Sequence, residues 1–425
     1  MTKNEELEKL LEENKGNSRI SENEEVLTSE DLNEIAEALE DGVNSGKYRG
    51  EVFATSGTTG KPTRAYFTES SLENIVERSS MSFIDTEEDK KFLNMFAGRP
   101  HISGWNLTQS VKARGAEALN DSYDDWQEVL DEGRSEEITD LGAVPTLAHK
   151  MAQIMRKELG KPPREIFPNL ENAYFSGMKL SDDLRNTLKS EYGFDTQREF
   201  YASSEASAMG VSINPGSEHQ IALPGYVLEI IPEDSEEPID VRDIDKETKG
   251  VLLASDSSRR LFPNNVEEED IPDGYSGDER FTRWYTGDKV KVTPDQEIAG
   301  LGKNANTFEV LGKEKFDLNM GGAVLGENEI RTSIVENYED KGKIDWKAVK
   351  SREESEQGYG DLLLHIYVED CSCLDYEGFS DSLYSNKSVK EADRKGVIKG
   401  IDFRPISNYD SQDNSMKGRN IIDET

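Results

Sequence analysis

Apolar side chains recur at helical spacing through residues 1 to about 47, in an otherwise polar background. Leu32, Ile35, Ala36 and Leu39 fall on one stripe, which predicts a helix over Leu27–Val43 starting at Thr28-Ser29-Glu30-Asp31. A shorter helix is expected over Glu5–Glu13. At Glu51–Ala54 the pattern becomes that of a short strand, followed by small hydroxyl residues and glycines. Beyond it, strand patterns at Leu93–Phe96, Ile138–Val144, Asn172–Phe175 and Arg198–Tyr201 alternate with helical ones at Tyr123–Leu130, Thr146–Leu159 and Ser181–Tyr192, the last capped by Ser181. Such alternation predicts an α/β sheet with helices on its faces. Ligands of these sheets sit at the carboxyl ends of the strands.

After residue 220 the chain becomes strand-rich, with Tyr226–Ile231, Gly250–Ser255 and Lys289–Val292, so an antiparallel subdomain is expected. Residues 263–279 are acidic, contain Pro and Gly, and read as a surface loop. The expected organisation is a helical segment over 1–50, a large α/β domain over 51–311, and a small α+β domain over 312–425 joined by a hinge near Gly312.

Charge changes the picture most. In 425 residues, 87 Asp and Glu face 50 Lys and Arg, a net charge of −37. Apolar segments such as Gly250–Ser255 and Leu362–Val368 recur between turn signals, which argues against a disordered acidic chain. An acidic surface on a folded protein from a salt-rich cytoplasm is expected, where salt screens the self-repulsion. No basic stripe is available for nucleic acid. The two cysteines, Cys371 and Cys373, allow no disulfide framework and fit a reducing cytoplasm. Met1–Lys15 is charged and lacks the apolar core of a signal peptide. No apolar run approaches the roughly 18–20 residues of a membrane span.

The chemistry begins at Ala54-Thr55-Ser56-Gly57-Thr58-Thr59-Gly60-Lys61-Pro62-Thr63. Gly57 and Gly60 let the backbone approach an anion, and successive N–H groups can cradle phosphate oxygens. Ser56, Thr58 and Thr59 add hydroxyl donors. A Walker-type loop is excluded by spacing, since Thr55 holds its first glycine position and Pro62 follows the lysine.

This segment resembles the Ser-Gly-Thr-Thr-Gly-x-Pro signature of the adenylate-forming (AMP-binding) superfamily of acyl-CoA synthetases, adenylation domains and luciferases. In length the chain is most similar to the phenylacetate–CoA ligase branch, which includes coenzyme F390 synthetase-like proteins. Further segments follow in the family's order. Tyr201-Ala202-Ser203-Ser204-Glu205 resembles Tyr-Gly-x-Ser/Thr-Glu, with Ala202 in place of glycine. The resemblance implies that Tyr201 stacks on adenine, Ser204 touches the α-phosphate and Glu205 holds Mg²⁺, a hard cation suited to a carboxylate and phosphate oxygens. Trp284-Tyr285-Thr286-Gly287-Asp288 resembles Tyr-Arg-Thr-Gly-Asp, which gives Asp288 the ribose hydroxyls and leaves Tyr285 where arginine is usual. Gly312-Lys313 resembles the family's Gly-Arg step; Lys313 keeps the charge without the planar fork, and Lys315 stands where an acidic hinge residue is common. Gly321-Gly322 lies where the family has a loop glycine. Ser415-Met416-Lys417-Gly418-Arg419 resembles the terminal Gly-Lys-x-x-Arg segment, with Met416 for glycine and Lys417 as the mobile lysine that stabilises developing charge. For the acid pocket the resemblance offers His101, Gly104 and Trp105, and Ser176-Gly177 before Met178, a turn that lacks the family's acidic residue.

The implied activity is ATP-dependent activation of a small carboxylic acid, aryl or arylacetic, to an acyl-adenylate, followed by transfer to coenzyme A. Lys417, Glu205 and Thr59 are the catalytic candidates. Ser56, Gly57, Thr58, Thr59, Gly60, Lys61, Tyr201, Ser204, Asp288 and Lys313 are the nucleotide-binding ones. Three alternatives stay open: AMP transfer to a cofactor hydroxyl, acyl loading of a protein partner, and a nucleotide-binding protein without turnover.

Overall fold

The computed structural model describes residues 3–21, 24–55, 62–86, 88–299 and 301–313, and beyond them 317–320, 323–326, 330, 333–334, 336–338, 346–352, 362–368, 373–384, 390, 398–406 and 421–423. Helices α1 (Lys3–Lys15) and α2 (Ser29–Asn44) open the chain. The expected stripe of α2 is its buried face: Leu32, Ile35, Ala36 and Leu39 are covered. Its start is a capping box, in which Thr28 Oγ1 accepts from the Asp31 N–H and the Asp31 carboxylate accepts from the Thr28 N–H at 2.6 Å.

Next comes an antiparallel hairpin, β1 (Gly50–Ala54) and β2 (Arg64–Thr68), which forms a two-stranded sheet of its own. It leads into α3 (Glu69–Met81), β3 (Lys91–Met95), α4 (Ile102–Ala113), β4 (Glu117–Ala118), α5 (Trp126–Asp131), β5 (Asp140–Ala143), α6 (Pro145–Leu159), α7 (Pro163–Ile166), β6 (Asn172–Phe175), α8 (Asp182–Tyr192) and β7 (Thr196–Ser203). Strands β8 (Ser207–Ser212), β9 (Gln220–Ala222), β10 (Val227–Pro232), β11 (Ile239–Asp240), β12 (Thr248–Arg260), β13 (Arg280–Ile298) and β14 (Lys303–Lys313) complete the large unit.

One twelve-stranded sheet runs through all of these except the hairpin, in the order β11-β10-β12-β13-β14-β9-β8-β7-β6-β5-β3-β4. Strands β3 to β7 pair in parallel, and the sheet turns antiparallel from β7 to β8. The antiparallel set expected after residue 220 is thus continuous with the parallel set in one sheet. Side chains alternate across the parallel half as its pleat requires. Leu93, Met95, Leu141, Ala143, Ala173 and Phe175 pack with residues of α6 and α8, whereas Phe92, Tyr174 and Phe200 pack with Phe83, Leu107 and Val111 on the other face.

Three expectations need correction. Helices α3 and α4 were not anticipated, and α4 takes in two of the acid-pocket candidates, Gly104 and Trp105. The run expected as a helix over Tyr123–Leu130 begins with a 3-10 turn, Tyr123–Asp125, before α5. Strand β13 spans 19 residues, far more than the four of Lys289–Val292.

Beyond Lys313 lie a small hairpin, β15 (Asp317–Met320) and β16 (Ala323–Gly326), and a four-stranded sheet. That sheet contains β17 (Trp346–Arg352), β18 (Leu362–Val368), β19 (Ile398–Pro405) and β20 (Ile421–Asp423), in the order β19-β18-β17-β20. Helix α9 (Tyr376–Tyr384) buries Phe379 and Leu383 in the same core as Trp346, Ala348, Leu364 and Ile366.

A buried ion pair locks β7 to the segment after α3. Arg198 is fully buried, pairs with Asp85, and donates to the Ser212 carbonyl at 2.7 Å. Removing one partner of such a pair strands the other charge, at about 3–5 kcal/mol. Asp85→Ala is expected to lower unfolding free energy by about that amount in urea titration, and the double change Asp85→Leu/Arg198→Met should recover most of it.

Candidate functional site

The glycine-and-hydroxyl segment lies in the chain between β1 and β2. The Thr55 N–H donates to the Thr63 carbonyl at 2.8 Å, and the Thr63 N–H donates to Thr55 Oγ1 at 2.8 Å, which closes the neck of the loop. Ser56, Gly57, Thr58, Thr59, Gly60 and Lys61 themselves lie outside the described residues, as do Lys315, Gly321, Gly322, Met416 and Lys417. Helix α2 steadies the hairpin: Asn33 Oδ1 accepts from the Arg64 N–H at 2.6 Å, and Glu40 takes the Arg64 guanidinium at 2.6 and 3.1 Å. The Ala54 N–H also donates to the Pro100 carbonyl at 3.0 Å.

Three segments far apart in sequence meet at one cluster. Tyr201, on β7, donates its hydroxyl to Asp288 Oδ2 at 2.7 Å. Lys313, the cross-strand partner of Asp288 on β14, places Nζ 3.0 Å from Asp288 Oδ1 and donates to the Thr286 carbonyl at 3.1 Å. The Asp288 N–H in turn donates to Thr286 Oγ1 at 3.0 Å. Tyr201 is buried, with its ring edge-on to Phe308, so its hydroxyl is pushed well above the ordinary tyrosine range by burial and by the Asp288 charge. Ser204, in the turn after β7, is half-buried, and Tyr285 donates its N–H to the Leu27 carbonyl at 2.8 Å.

Glu205 sits in the same turn, 8% exposed. Burial raises its carboxyl above the ordinary glutamate range, and the charge of Asp288 adds to this, while Lys313 and Ser203 oppose it. No ammonium or guanidinium lies within ion-pair distance of it among the described residues. A cation beside this carboxylate would supply the missing counter-charge, so the residue fits a magnesium ligand. No three metal-ligating side chains cluster among the described residues, so phosphate oxygens and water would complete the coordination.

The acid-pocket candidates lie at the carboxyl ends of the parallel strands, but they play different parts. His101 is the residue before α4 and is half-buried. Trp105 packs on Phe53 of β1, ring centroids 5.6 Å apart. Gly104 is a packing residue: its N–H donates to the Ala97 carbonyl at 3.0 Å, and a Cβ there would stand 2.7 Å from that oxygen. Its side of α4 therefore faces backbone and not a ligand space. Ser176 follows β6, where its hydroxyl donates to the Phe200 carbonyl at 3.0 Å. Gly177, exposed, has φ of 88°, a left-handed conformation that suits glycine.

Sequence patterns missed the residues that hold these groups in place. Asn94 is fully buried and donates to the Gly104 carbonyl, Thr108 Oγ1 and the Asp121 carbonyl, which ties α4 to the end of β3. A buried asparagine in a strand pattern is the one signal that could have marked it.

No family model matches the chain, and no curated protein matches it. Solved structures do. A 2-hydroxyisobutyryl-CoA ligase in complex with 2-HIB-AMP and coenzyme A, in the thioesterification state, superposes with a TM-score of 0.67 at 14% identity, over 99% of this chain and 88% of that one. The ligase in its postadenylation state with 2-HIB-AMP gives 0.56 at 13%, over 99% and 89%. A malonyl-CoA ligase with methylmalonyl-CoA and AMP gives 0.52 at 16%, over 83% and 70%. The chain thus has the fold of adenylate-forming acyl-CoA ligases, as the order of its motifs led us to expect. No helix among the described residues is long and apolar enough to cross a membrane.

The raised Glu205 carboxyl has a sign that can be checked. Its folded-state stability is fully present below the unfolded value and is lost as pH rises through the folded one. Without ligands, Glu205→Gln is expected to melt at a higher temperature than the wild type at pH 7.5, with the difference shrinking towards pH 4.

Proposed function

We propose that this protein is an AMP-forming acid–thiol ligase of the phenylacetate–CoA ligase type. The observation that supports it best is the meeting of Tyr201 and Glu205 with Asp288 and Lys313 in one cluster at the carboxyl edge of β7, since these four residues come from three separate nucleotide-binding segments of the resemblance. The fold shared with ligases seen with acyl-adenylates or AMP and coenzyme A supports the same reading.

In this proposal ATP lies over the strand ends with its β- and γ-phosphates against the 56–61 loop, where Ser56, Thr58 and Thr59 donate hydroxyls and Lys61 adds charge. Asp288 accepts from the ribose hydroxyls. The Tyr201 hydroxyl and the Lys313 ammonium hold that carboxylate in place, so Tyr201 serves the nucleotide through Asp288 as well as through its ring. Glu205 would hold Mg²⁺, which neutralises phosphate charge when bound. The substrate carboxylate oxygen attacks the α-phosphorus, the bond to the β-phosphate oxygen breaks, and pyrophosphate leaves. Positioning and charge neutralisation supply most of the rate. Lys417 stabilises the charge that develops. The small domain, residues 312–425, then turns about Lys313–Lys315. The coenzyme A thiol, losing its proton, attacks the acyl carbon and expels AMP. His101, Trp105, Ser176 and Gly177 border the acid, an aryl or arylacetic one. The charge of −37 supports a cytoplasm rich in salt.

Acid-dependent exchange of labelled pyrophosphate into ATP tests this reading, on a panel of aryl, arylacetic and short aliphatic acids in molar KCl. Exchange with at least one aryl-bearing acid is expected, and its absence with every acid would sink the proposal. Glu205→Ala and Lys417→Ala should each reduce exchange about a hundredfold or more. Lowering KCl to millimolar levels is expected to lower the melting temperature, as self-repulsion loses its screen.

A further inference from the structure

Among the described residues the β1–β2 hairpin shares no backbone ladder with the large sheet, so side chains carry much of the task of fixing its place relative to Glu205. One side chain spans the gap. Arg259, on β12, is 2% exposed and lies between two aromatic faces, with its guanidinium carbon 3.8 Å from the Phe67 ring centre and 4.3 Å from that of Phe281. Its Nη1 donates to the carbonyl of Glu205, and its Nη2 donates to the carbonyl of Tyr66, on β2, at 3.0 Å. Among the described residues no carboxylate pairs with it within 4 Å, and its Nε is buried without a hydrogen-bond partner.

This is a costly way to fill space. Burial lowers the affinity of the guanidinium for its proton, to a pKa of about 10, although Asp256 and Glu205 oppose the drop. A methionine could occupy the slot between Phe67 and Phe281 without that penalty. What it could not do is hold two main-chain oxygens at a fixed separation, which the planar fork of arginine does. One of those oxygens belongs to the strand leaving the 56–61 loop, and the other follows directly on the Cα that bears the Glu205 carboxylate.

We propose that Arg259 is a positioning residue that sets the phosphate-gripping hairpin at a fixed distance from the Glu205 carboxylate, so that nucleotide phosphates and their magnesium are bound together and not separately. This deepens the ligase reading and rests on it. Arg259 touches neither substrate nor metal; it acts through two backbone carbonyls.

The test measures ATP affinity of the full-length protein by calorimetry, with Mg²⁺ and in EDTA, alongside pyrophosphate exchange. In the wild type Mg²⁺ should tighten ATP binding. In Arg259→Met that gain should fall by about tenfold, as loss of a group supporting a metal ligand does, while affinity in EDTA changes by less than about threefold. Arg259→Lys, which can reach one carbonyl, should fall between the two, and it carries the test alone if the methionine variant does not fold. Arg78→Met, which removes a neighbouring pair with Asp256, should leave the magnesium gain intact. In a cycle with Glu205→Gln, the double variant should be no worse than Glu205→Gln alone, because both changes act on one carboxylate. An undiminished gain in the Arg259 variants, or losses that multiply in the cycle, would overturn the proposal while leaving the ligase reading in place. A wild type that neither binds ATP nor exchanges pyrophosphate would overturn both.

Discussion

Asp288 is the charge on which the rest of the site depends. It receives a hydroxyl on one oxygen and an ammonium on the other, from Tyr201 and Lys313, and its own N–H is held by Thr286. Each partner comes from a strand of the same sheet: β7 brings Tyr201, β13 brings Asp288 and Thr286, and β14 brings Lys313. The carboxylate is largely withdrawn from water, and the two partners take the place of solvent on its oxygens. Asp288 and Lys313 are direct cross-strand partners, so the register of β13 against β14 brings the two together.

Around this cluster, rigidity comes from polar side chains that bond to backbone. Asn94 fixes the start of α4, Asn33 and Glu40 fix the neck of the hairpin, and Arg259 spans from hairpin to turn. Loops at strand ends carry few ladder bonds of their own, so buried side chains must satisfy their carbonyls and N–H groups. Such residues specify geometry at a cost in desolvation, and hydrophobic packing alone could not replace them.

How much of this could be read from the chain depends on how local each signal is. Helix α2 was legible because its apolar stripe and its Thr28–Asp31 cap are both short-range patterns. The Tyr201, Asp288 and Lys313 segments were legible because each carries its own motif. Helix α4 was not: its buried face includes Gly104, Asn106, Thr108 and Ser110, small or polar residues that hide the helical period. Most of β13 was hidden for a related reason, since half-exposed charged residues interrupt its alternation. Arg259 was invisible because an arginine in a strand reads as a solvated charge, and only the folded chain places Phe67 and Phe281 on either side of it.

The large sheet ends in two of its shortest strands. On one side β4 offers Glu117 and Ala118, and on the other β11 offers Ile239 and Asp240. Each covers only part of its neighbour: β4 pairs with Lys91 and Phe92 of β3, and β11 with Glu229 and Ile230 of β10. A long bare edge would invite another chain to add to it. Such stubby margins, whose carboxylates Glu117 and Asp240 are tied up by Lys91 and Arg242, leave an intruding strand little to zip against.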